Sequence, residues 1–192
     1  MLKTEYPIFL ASKSPRRSEI LRNAGFEFQL LDQNFDENIP LNMTPETIPL
    51  FLSNAKLHSL AVNVANKIVI CADTVVILSN GSIGKPQDVD EAVLMLNQLS
   101  NSTHRVLTGV SIGTPKGFVE FVDTTIVTFK KLDKWEIDFY IENYKPFDKA
   151  GSYGVQDFIG MIGITHLDGS FYNVMGLPIH KVYKALQPFI LK

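Results

Sequence analysis

The residues that point most directly to chemistry lie in the octet 10–17, which reads Leu-Ala-Ser-Lys-Ser-Pro-Arg-Arg. Ser14 is a suitable N-cap, and Pro15 suits the first helical position, where no backbone N–H is needed. Arg16 and Arg17 then fall in the first turn, where cations oppose the helix dipole. A bound phosphate would remove this conflict, because free N–H groups, the dipole and two guanidinium groups all attract an anion. A capped surface helix with two solvated arginines is the alternative, and these residues alone do not decide between them.

One acidic residue interrupts the most apolar part of the chain. Asp73 stands between Ile-Val-Ile-Cys-Ala at 68–72 and Val-Val-Ile-Leu at 75–78. Burying a carboxylate there costs several kcal/mol unless it is paired, hydrogen-bonded or bound to a metal. A general base or metal ligand at the functional end of a central strand fits this position. A structural aspartate with a backbone or arginine partner is the alternative.

Two further candidates have equally ordinary explanations. Glu37, next to Asp36, is a second candidate acid, although carboxylate pairs at strand ends are common on protein surfaces. Lys56 lies among apolar residues of a predicted helix, where a lysine commonly packs its stem and exposes its ammonium group.

Two glycine-containing segments have the composition of ligand-facing loops. Lys85 lies in Gly-Lys-Pro at 84–86, where glycine permits close backbone approach and proline stiffens the exit, although an exposed turn lysine fits equally well. Gln156 ends the Gly-rich segment 149–156, Lys-Ala-Gly-Ser-Tyr-Gly-Val-Gln. Its amide both donates and accepts hydrogen bonds, as recognition of a nucleobase edge requires.

Composition narrows the class of protein. The chain has 192 residues and a formal net charge of −2, which argues against a general nucleic-acid-binding surface. A single cysteine, Cys71, indicates a reducing compartment, and no apolar run reaches the ~18 residues of a membrane span. The first residues lack the apolar core of a signal peptide. We therefore expect a cytoplasmic protein without a membrane or nucleic-acid partner, with the oligomeric state open and a homodimer among the options.

Several common catalytic motifs are absent from the sequence. It contains neither a Gly-x-x-x-x-Gly-Lys-Ser/Thr phosphate loop nor a Gly-x-Gly-x-x-Gly fingerprint. The four histidines have no zinc-type spacing with one another or with Cys71. Ser12 and Ser14 lack the setting of a nucleophilic serine.

Strand and helix signals alternate along the chain, which predicts an α/β or α+β protein with a mixed sheet. The predicted strands cover 8–11, 26–31, 67–78, 106–112, 118–129, 159–167 and 171–174. The predicted helices cover 15–24, 44–63, 88–99 and 133–143, with a terminal helix opening at Pro178. Hairpin turns are predicted at Asn80-Gly81, at 114–117 and at Asp168-Gly169. No boundary divides the chain, so we expect one domain over 1–192.

Four motifs in order resemble the Maf-like nucleotide pyrophosphatase family. They are Ser-Lys-Ser-Pro-Arg-Arg at 12–17, Ala-Asp-Thr-Val-Val at 72–76, Gly-Lys-Pro at 84–86 and Asp-Lys-Ala-Gly-Ser-Tyr-Gly-Val-Gln at 148–156, with Asn-Val-Met-Gly-Leu-Pro at 173–178 in support. The resemblance implies an elongated mixed β-sheet flanked by helices, with two lobes around a cleft, related to the inosine triphosphate pyrophosphatases. It also implies cleavage of a small nucleoside triphosphate between the α and β phosphates, with a divalent metal, Mg²⁺ or Mn²⁺.

The resemblance assigns roles to the candidate residues. Asp73 matches the acceptor of the proton from water and a metal ligand, and Glu37 matches the acid near the metal. The residues that match substrate-binding positions are Ser12, Arg16, Arg17, Lys56, Thr74, Lys85 and Gln156. Arg16, Thr74 and Gln156 together look like the dTTP/UTP branch. For Asp73 and Thr74 to serve one site, their strand must end, twist or bulge there, because successive strand residues face opposite sides.

Two other functions remain open at this stage. A 7-methyl-GTP pyrophosphatase is the alternative within the family, and Asp157 replaces the glycine that usually follows Gln156, which leaves the base preference less defined than the reaction. A non-catalytic regulator of septum formation is the alternative outside enzymology, because inhibition of septum formation is the source of the family name.

Overall fold

A computed structural model describes residues 1–32, 35, 38–60, 64–79 and 81–192 of the chain. Seven strands and seven α-helices are interspersed along these residues. The strands are β1 Ile8–Ala11, β2 Gln29–Leu30, β3 Ile68–Leu78, β4 Gly81–Ile83, β5 Thr103–Thr114, β6 Gly117–Phe129 and β7 Ile164–Asp168. The helices are α1 Pro15–Asn23, α2 Ile48–Ser59, α3 Val89–Leu99, α4 Lys134–Tyr144, α5 Phe158–Gly163, α6 Phe171–Val174 and α7 Ile179–Leu186. The helices that separate the strands cover a single sheet.

The sheet mixes parallel and antiparallel pairs. Its strand order is β2-β1-β3-β5-β6-β7, and β4 pairs with β3 outside that path. β1 is parallel to β2 and β3, whereas β4 is antiparallel to β3 and β7 is antiparallel to β6. The predicted mixed sheet flanked by helices is therefore confirmed.

The chain forms two compact units, and β3, β5 and β6 each contribute residues to both. The first unit comprises Met1–Asp73, Thr108–Asp123 and Gly176–Lys192. Its core includes a cluster of Ala11, Leu57, Val69 and Cys71. Apolar side chains that leave water in such a core stabilise the fold, at about 25 cal/mol per Å² of buried apolar surface.

The second unit comprises Thr74–Leu107 and Thr124–Met175. Its core includes Leu96 and Leu99 of α3, Tyr140 of α4 and Phe129 of β6, all nearly or fully buried. Two helix starts in this unit follow their sequence signals. The backbone N–H of Glu91 donates to Oδ1 of Asp88 at 2.8 Å, and Asp133 with Glu136 forms a capping box.

The predicted hairpin over 159–174 is wrong in most of its length. Phe158–Gly163 is α5, β7 begins only at Ile164, and Phe171–Val174 is α6. The Ser170 side chain accepts a hydrogen bond from the Asn173 backbone N–H, which starts a helix where a strand was expected. A short apolar run fits either structure by its periodicity, and a side-chain cap is present at the start of α6 but not of α5.

Three smaller expectations also need correction. The strand expected over 26–31 is reduced to Gln29–Leu30, and the helix expected over 44–63 is Ile48–Ser59, with 61–63 outside the described residues. Ser14 occupies the N-cap position of α1, but its side chain makes no capping hydrogen bond. Asn80 of the first predicted turn lies outside the described residues, although Gly81 does pair with Leu78 across the expected hairpin.

Candidate active site

Lys56 and Asp73 form a buried ion pair in the first unit. Nζ of Lys56 in α2 lies 2.6 Å from Oδ1 of Asp73 in β3. The two side chains are only 9% and 13% exposed. Charges this far from water need a partner of opposite sign with good hydrogen-bond geometry, and each of these residues provides one for the other. The structure thus joins two candidates that the sequence offered separately.

Asp73 lies where β3 changes its pairing partners. β1 pairs with Ile68–Cys71 and β4 pairs with Val76–Leu78, so residues 72–75 lie outside both pairings. β3 does not end at this point, but Asp73 and Thr74 are both partly exposed, without the alternation of a regular half-buried strand. Both side chains are thus partly accessible, and the expected twist or bulge of β3 at this position stays a prediction.

Ser12 and Arg17 hold the segment that follows β1. Oγ of Ser12 accepts hydrogen bonds from the Ser14 backbone N–H at 3.2 Å and from Nη1 of Arg17 at 3.3 Å. Nε of Arg17 also donates to the carbonyl oxygen of Gly176 at 2.7 Å. Arg17 is thus oriented by the protein, which argues against the interpretation of two solvated surface arginines.

The strand register brings this segment close to Asp73. Ala11 pairs with Cys71, so residues 12–17 leave β1 beside the part of β3 that contains Asp73. Lys56 and Arg17 both lie close enough to the Cys71 thiol for their positive charges to act to lower its pKa. Burial nevertheless raises the pKa of Cys71 to about 12. Cys71 is therefore a neutral core residue and not a nucleophile.

Arg16 and Glu37 are two further predicted site residues. Arg16 is half-buried in the first turn of α1, which contains no acidic residue. Glu37, the predicted second acid, lies with Asp36 outside the described residues. Its role as a metal ligand stays a prediction.

The loop that contains Lys85 is attached to the Gly-rich segment of the second unit. The Gly151 backbone N–H donates to the carbonyl oxygen of Gly84 at 2.9 Å, and Lys85 follows with its side chain exposed. Gly151 has a φ of +70°, and a Cβ there would lie 3.2 Å from a methyl group of Val76. The absence of a side chain at Gly151 lets the Gly-rich segment approach both Val76 of β3 and the loop that contains Lys85. The two glycine-containing candidate segments therefore lie together in this unit.

Gln156 has a buried and unsatisfied acceptor. Its Oε1 atom is out of contact with solvent and accepts no hydrogen bond from the described residues. A buried carbonyl oxygen without a donor costs about 1–3 kcal/mol, which a ligand N–H would recover. The role of Gln156 in reading a base stays a prediction.

Tyr140 is a residue that the sequence interpretation missed, and it contacts Asp157, which was noted only as a departure from the family pattern. The Tyr140 hydroxyl donates to Oδ2 of Asp157 at 2.9 Å and accepts from the Gly154 backbone N–H at 3.0 Å. Burial raises the pKa of Tyr140, and the nearby Asp157 carboxylate raises it further. The position of Asp157 directly after Gln156 was visible in the sequence, but its partner in α4 was not.

A second aromatic contact holds the middle of the Gly-rich segment. Nε2 of His104 lies 2.7 Å from the Tyr153 hydroxyl, and both rings pack against Phe129. Burial lowers the pKa of His104 to about 4, so the imidazole is neutral at neutral pH. This histidine is a structural core residue and not a proton shuttle.

A family model described as Maf-like protein matches residues 7–189. The chain belongs to the Maf-like family. The match spans every motif on which the resemblance rested, including the segments of Arg17, Asp73, Lys85 and Gln156.

Relatives of this Maf-like chain have a consistent name. A protein of Cytophaga hutchinsonii named dTTP/UTP pyrophosphatase is 44% identical over 180 residues, covering 94% of this chain and 83% of the relative. One of Porphyromonas gingivalis with the same name is 44% identical over 189 residues, covering 96% and 95%. One of Parabacteroides distasonis, again with this name, is 42% identical and covers 96% and 97%.

Among solved structures, the Maf-like chain is similar to a nucleoside-triphosphatase / dITP/XTP pyrophosphatase from Mycobacterium abscessus. The TM-score is 0.42 and the identity 14%, with 95% of each chain covered. In the described part of the Maf-like chain, every helix is too short or too polar to span a bilayer.

Proposed function

We propose that this Maf-like protein hydrolyses dTTP and UTP between the α and β phosphates to the nucleoside monophosphate and pyrophosphate. The observation that carries the proposal is the buried Lys56–Asp73 pair, at 2.6 Å, in a chain whose relatives are named dTTP/UTP pyrophosphatases. A charged pair that is largely shielded from water is a candidate for a functional site and differs from an ordinary surface contact.

In this proposal Asp73 is the general base. Its carboxylate takes a proton from a water molecule while the water oxygen forms a bond to the α-phosphorus. The bond between that phosphorus and the α–β bridging oxygen breaks, and the electron pair leaves with pyrophosphate. General-base assistance of this kind contributes about 10²–10⁴-fold to the rate.

The cationic residues bind the phosphates. Arg17 is already oriented by Ser12 and Gly176, so its guanidinium group loses little freedom when it meets an anion. Arg16, Lys56 and Lys85 are the other cations that we assign to the triphosphate. They offset the negative charge that develops on the leaving pyrophosphate.

The donor set is compatible with a divalent metal, Mg²⁺ or Mn²⁺. The described residues contain no group of three or more histidine, cysteine, aspartate or glutamate side chains that could hold an ion. Asp73 nevertheless offers hard carboxylate oxygens, and Mg²⁺ is commonly held by one or two carboxylates, with water and substrate phosphates as its other ligands. We assign Asp73 and Glu37 as these carboxylates. The ion would supply charge neutralisation on the phosphate oxygens.

The base is read by Gln156 with Thr74 and Arg16 in this proposal. Uracil and thymine present an N–H between two carbonyl oxygens, and a glutamine amide can both accept from that N–H and donate to a neighbouring oxygen. The unsatisfied Oε1 of Gln156 supports the accepting role.

We further propose that the chain acts as one cytoplasmic Maf-like domain on free nucleotides and not on nucleic acid. The family match over residues 7–189 supports the single domain. One cooperative unfolding transition would support it as well, and two resolved transitions would contradict it. The homodimer stays a prediction, which sedimentation velocity tests directly.

The decisive experiment identifies the first product and the preferred base. Purified protein with Mg²⁺ or Mn²⁺ is incubated with dTTP, UTP, CTP, GTP and 7-methyl-GTP, and pyrophosphate and orthophosphate are measured separately. We expect pyrophosphate, fastest from dTTP and UTP. Orthophosphate as the first product would overturn the reaction, a preference for 7-methyl-GTP would overturn the substrate, and no turnover of any nucleotide would favour a regulatory protein.

A further inference from the structure

The Asp157 carboxylate connects the Gly-rich segment to helix α4. Oδ2 of Asp157 accepts from the Tyr140 hydroxyl at 2.9 Å, and the same hydroxyl accepts from the Gly154 backbone N–H at 3.0 Å. The Asp157 backbone N–H donates to the carbonyl oxygen of Gly154 at 3.0 Å. Residues 154 and 157 are therefore linked twice, once through the backbone and once through Tyr140.

Tyr140 is a rigid anchor for this link. Its side chain is fully buried in the second unit, and its ring packs against Tyr144 with centroids 5.1 Å apart. The direction of its two hydrogen bonds is settled because burial favours the protonated phenol. The hydroxyl must donate to the acceptor-only carboxylate and accept from the amide.

The orientation of Asp157 is not the one that its place in the helix predicts. Asp157 occupies the N-cap position of α5, where an aspartate ordinarily accepts from a backbone N–H of the first turn. Its side chain makes no such hydrogen bond and is turned to Tyr140 instead. The Asp157 carboxylate therefore stabilises the Gly-rich segment through Tyr140 and leaves the first turn of α5 without a side-chain cap.

The Gly-rich segment is packed tightly against this carboxylate. A Cβ on Gly154 would lie 2.3 Å from Oδ2 of Asp157, and one on Gly160 would lie 2.4 Å from the carbonyl oxygen of Val155. Nζ of Lys149, at the start of the segment, lies 3.7 Å from the same Oδ2. Gln156 lies inside this constrained stretch with its Oε1 buried and unsatisfied.

We infer that Tyr140 and Asp157 are positioning residues that hold the backbone from Gly154 to Gln156 in one conformation and thereby determine base selectivity. This inference rests on the proposed function, in which Gln156 reads the base. Neither residue is assigned a contact with the nucleotide. A hydrogen-bonding side chain discriminates only if it is held in place, because a mobile amide adapts to either base.

The test compares dTTP with dCTP, which differ in the hydrogen-bonding groups of their bases and little in size. The variants are Tyr140→Phe, Asp157→Ala, their combination, and the conservative Asp157→Asn. Glu136→Gln is the matched control, because it removes the ion pair between Lys130 and the same helix α4 without touching the Gly-rich segment. Hydrogen exchange of the segment 150–157 is measured in every protein.

We expect the ratio of kcat/KM for dTTP to that for dCTP to fall about tenfold in Tyr140→Phe and Asp157→Ala, the size of one lost discriminating hydrogen bond. The double variant should fall no further than either single variant, because the two residues act through one link. Asp157→Asn should keep most of the ratio, since its amide oxygen can still accept from Tyr140. Amide exchange should become faster in segment 150–157 of Tyr140→Phe and remain unchanged there in Glu136→Gln.

Two results would overturn the inference, and they differ from failure of the proposed function. A wild-type protein that prefers dTTP, with Tyr140→Phe and Asp157→Ala variants of unchanged ratio, would overturn the inference alone. If the ratio of kcat/KM for dTTP to that for dCTP fell equally in Glu136→Gln, the loss would reflect general destabilisation of the protein. This result would overturn the inference as well. Wild-type protein that releases no pyrophosphate from any triphosphate would overturn the proposed function, and the inference on selectivity with it.

Discussion

Nζ of Lys56 lies 2.6 Å from Oδ1 of Asp73, and both side chains are at most 13% exposed. This pair places the only acid of the most apolar strand against the one lysine of helix α2. It turns a position that would be costly for a lone carboxylate into a stable, charged site.

Asp73→Asn should reduce turnover about 10²–10⁴-fold, because asparagine keeps the shape of aspartate but cannot take a proton from water. The measurement is pyrophosphate release at saturating dTTP, with circular dichroism to confirm the fold. Cys71→Ala, two residues away, is the control and should retain activity, since its buried thiol is not ionised. A folded Asp73→Asn protein with a near-normal rate would show that Asp73 is structural.

Lys56→Met should lower the free energy of unfolding by about 3–5 kcal/mol, because it leaves the Asp73 carboxylate buried without its cation. Adding Asp73→Asn to this variant should restore much of the loss, since no uncompensated charge then remains. Urea denaturation of the two single variants and the double variant measures this coupling. Additive losses would mean that the two side chains do not depend on each other.

Gln156→Glu should change base preference more than it changes overall rate. The substitution removes the amide donor and adds a negative charge, so a pyrimidine that offers a carbonyl oxygen loses a partner, at about 1–3 kcal/mol. We expect kcat/KM to fall more for dTTP and UTP than for GTP or 7-methyl-GTP. Equal losses for all bases would show that Gln156 shapes the loop and does not read the base.

The free energy of unfolding should fall as the pH is lowered from about 6.5 to about 4, because of the buried His104. Burial lowers the pKa of His104 to about 4 in the folded protein, so the unfolded chain binds a proton first as the pH falls. The stability due to the neutral imidazole is complete above about pH 6.5 and is lost towards pH 4, by about 3 kcal/mol in total. The unfolding free energy of wild type should therefore fall relative to that of His104→Gln as the pH is lowered from 7 to 4, because glutamine does not titrate.

Parallel pH profiles for wild type and His104→Gln would contradict the assignment. The contact with the Tyr153 hydroxyl is retained as a hydrogen bond in the glutamine variant, which isolates the effect of the titration.

Gly109→Ala should destabilise the first unit strongly, whereas Gly84→Ala should not affect stability. A Cβ on Gly109 would lie 2.3 Å from the backbone of Pro49 and Leu50, at the start of α2, whereas one on Gly84 meets nothing within 4 Å. Overpacking of this kind typically costs about 1–3 kcal/mol, and rigid backbone atoms place it at the upper end. Thermal unfolding of both variants checks the contrast, and equal midpoints would refute the close approach.

Local sequence signals determined much of the secondary structure. The strand at 8–11 and the capped helices α3 and α4 follow directly from apolar periodicity and from Asp88 and Asp133 at their starts. The segment 158–174 did not follow, because short apolar runs are compatible with both helix and strand, and tertiary packing decides between them. The signals that succeeded act over three or four residues.

The sequence offered candidate site residues wherever a residue was out of place for its surroundings. An acid inside an apolar strand, and two arginines at the start of a helix, made Asp73 and Arg17 candidates without any structure. The tertiary structure alone decided their partners, since Lys56 joins Asp73 and Tyr140 joins Asp157 across 17 residues in each case. Such pairs depend on how helices pack against the sheet and the loops, and no spacing along the chain specifies that packing.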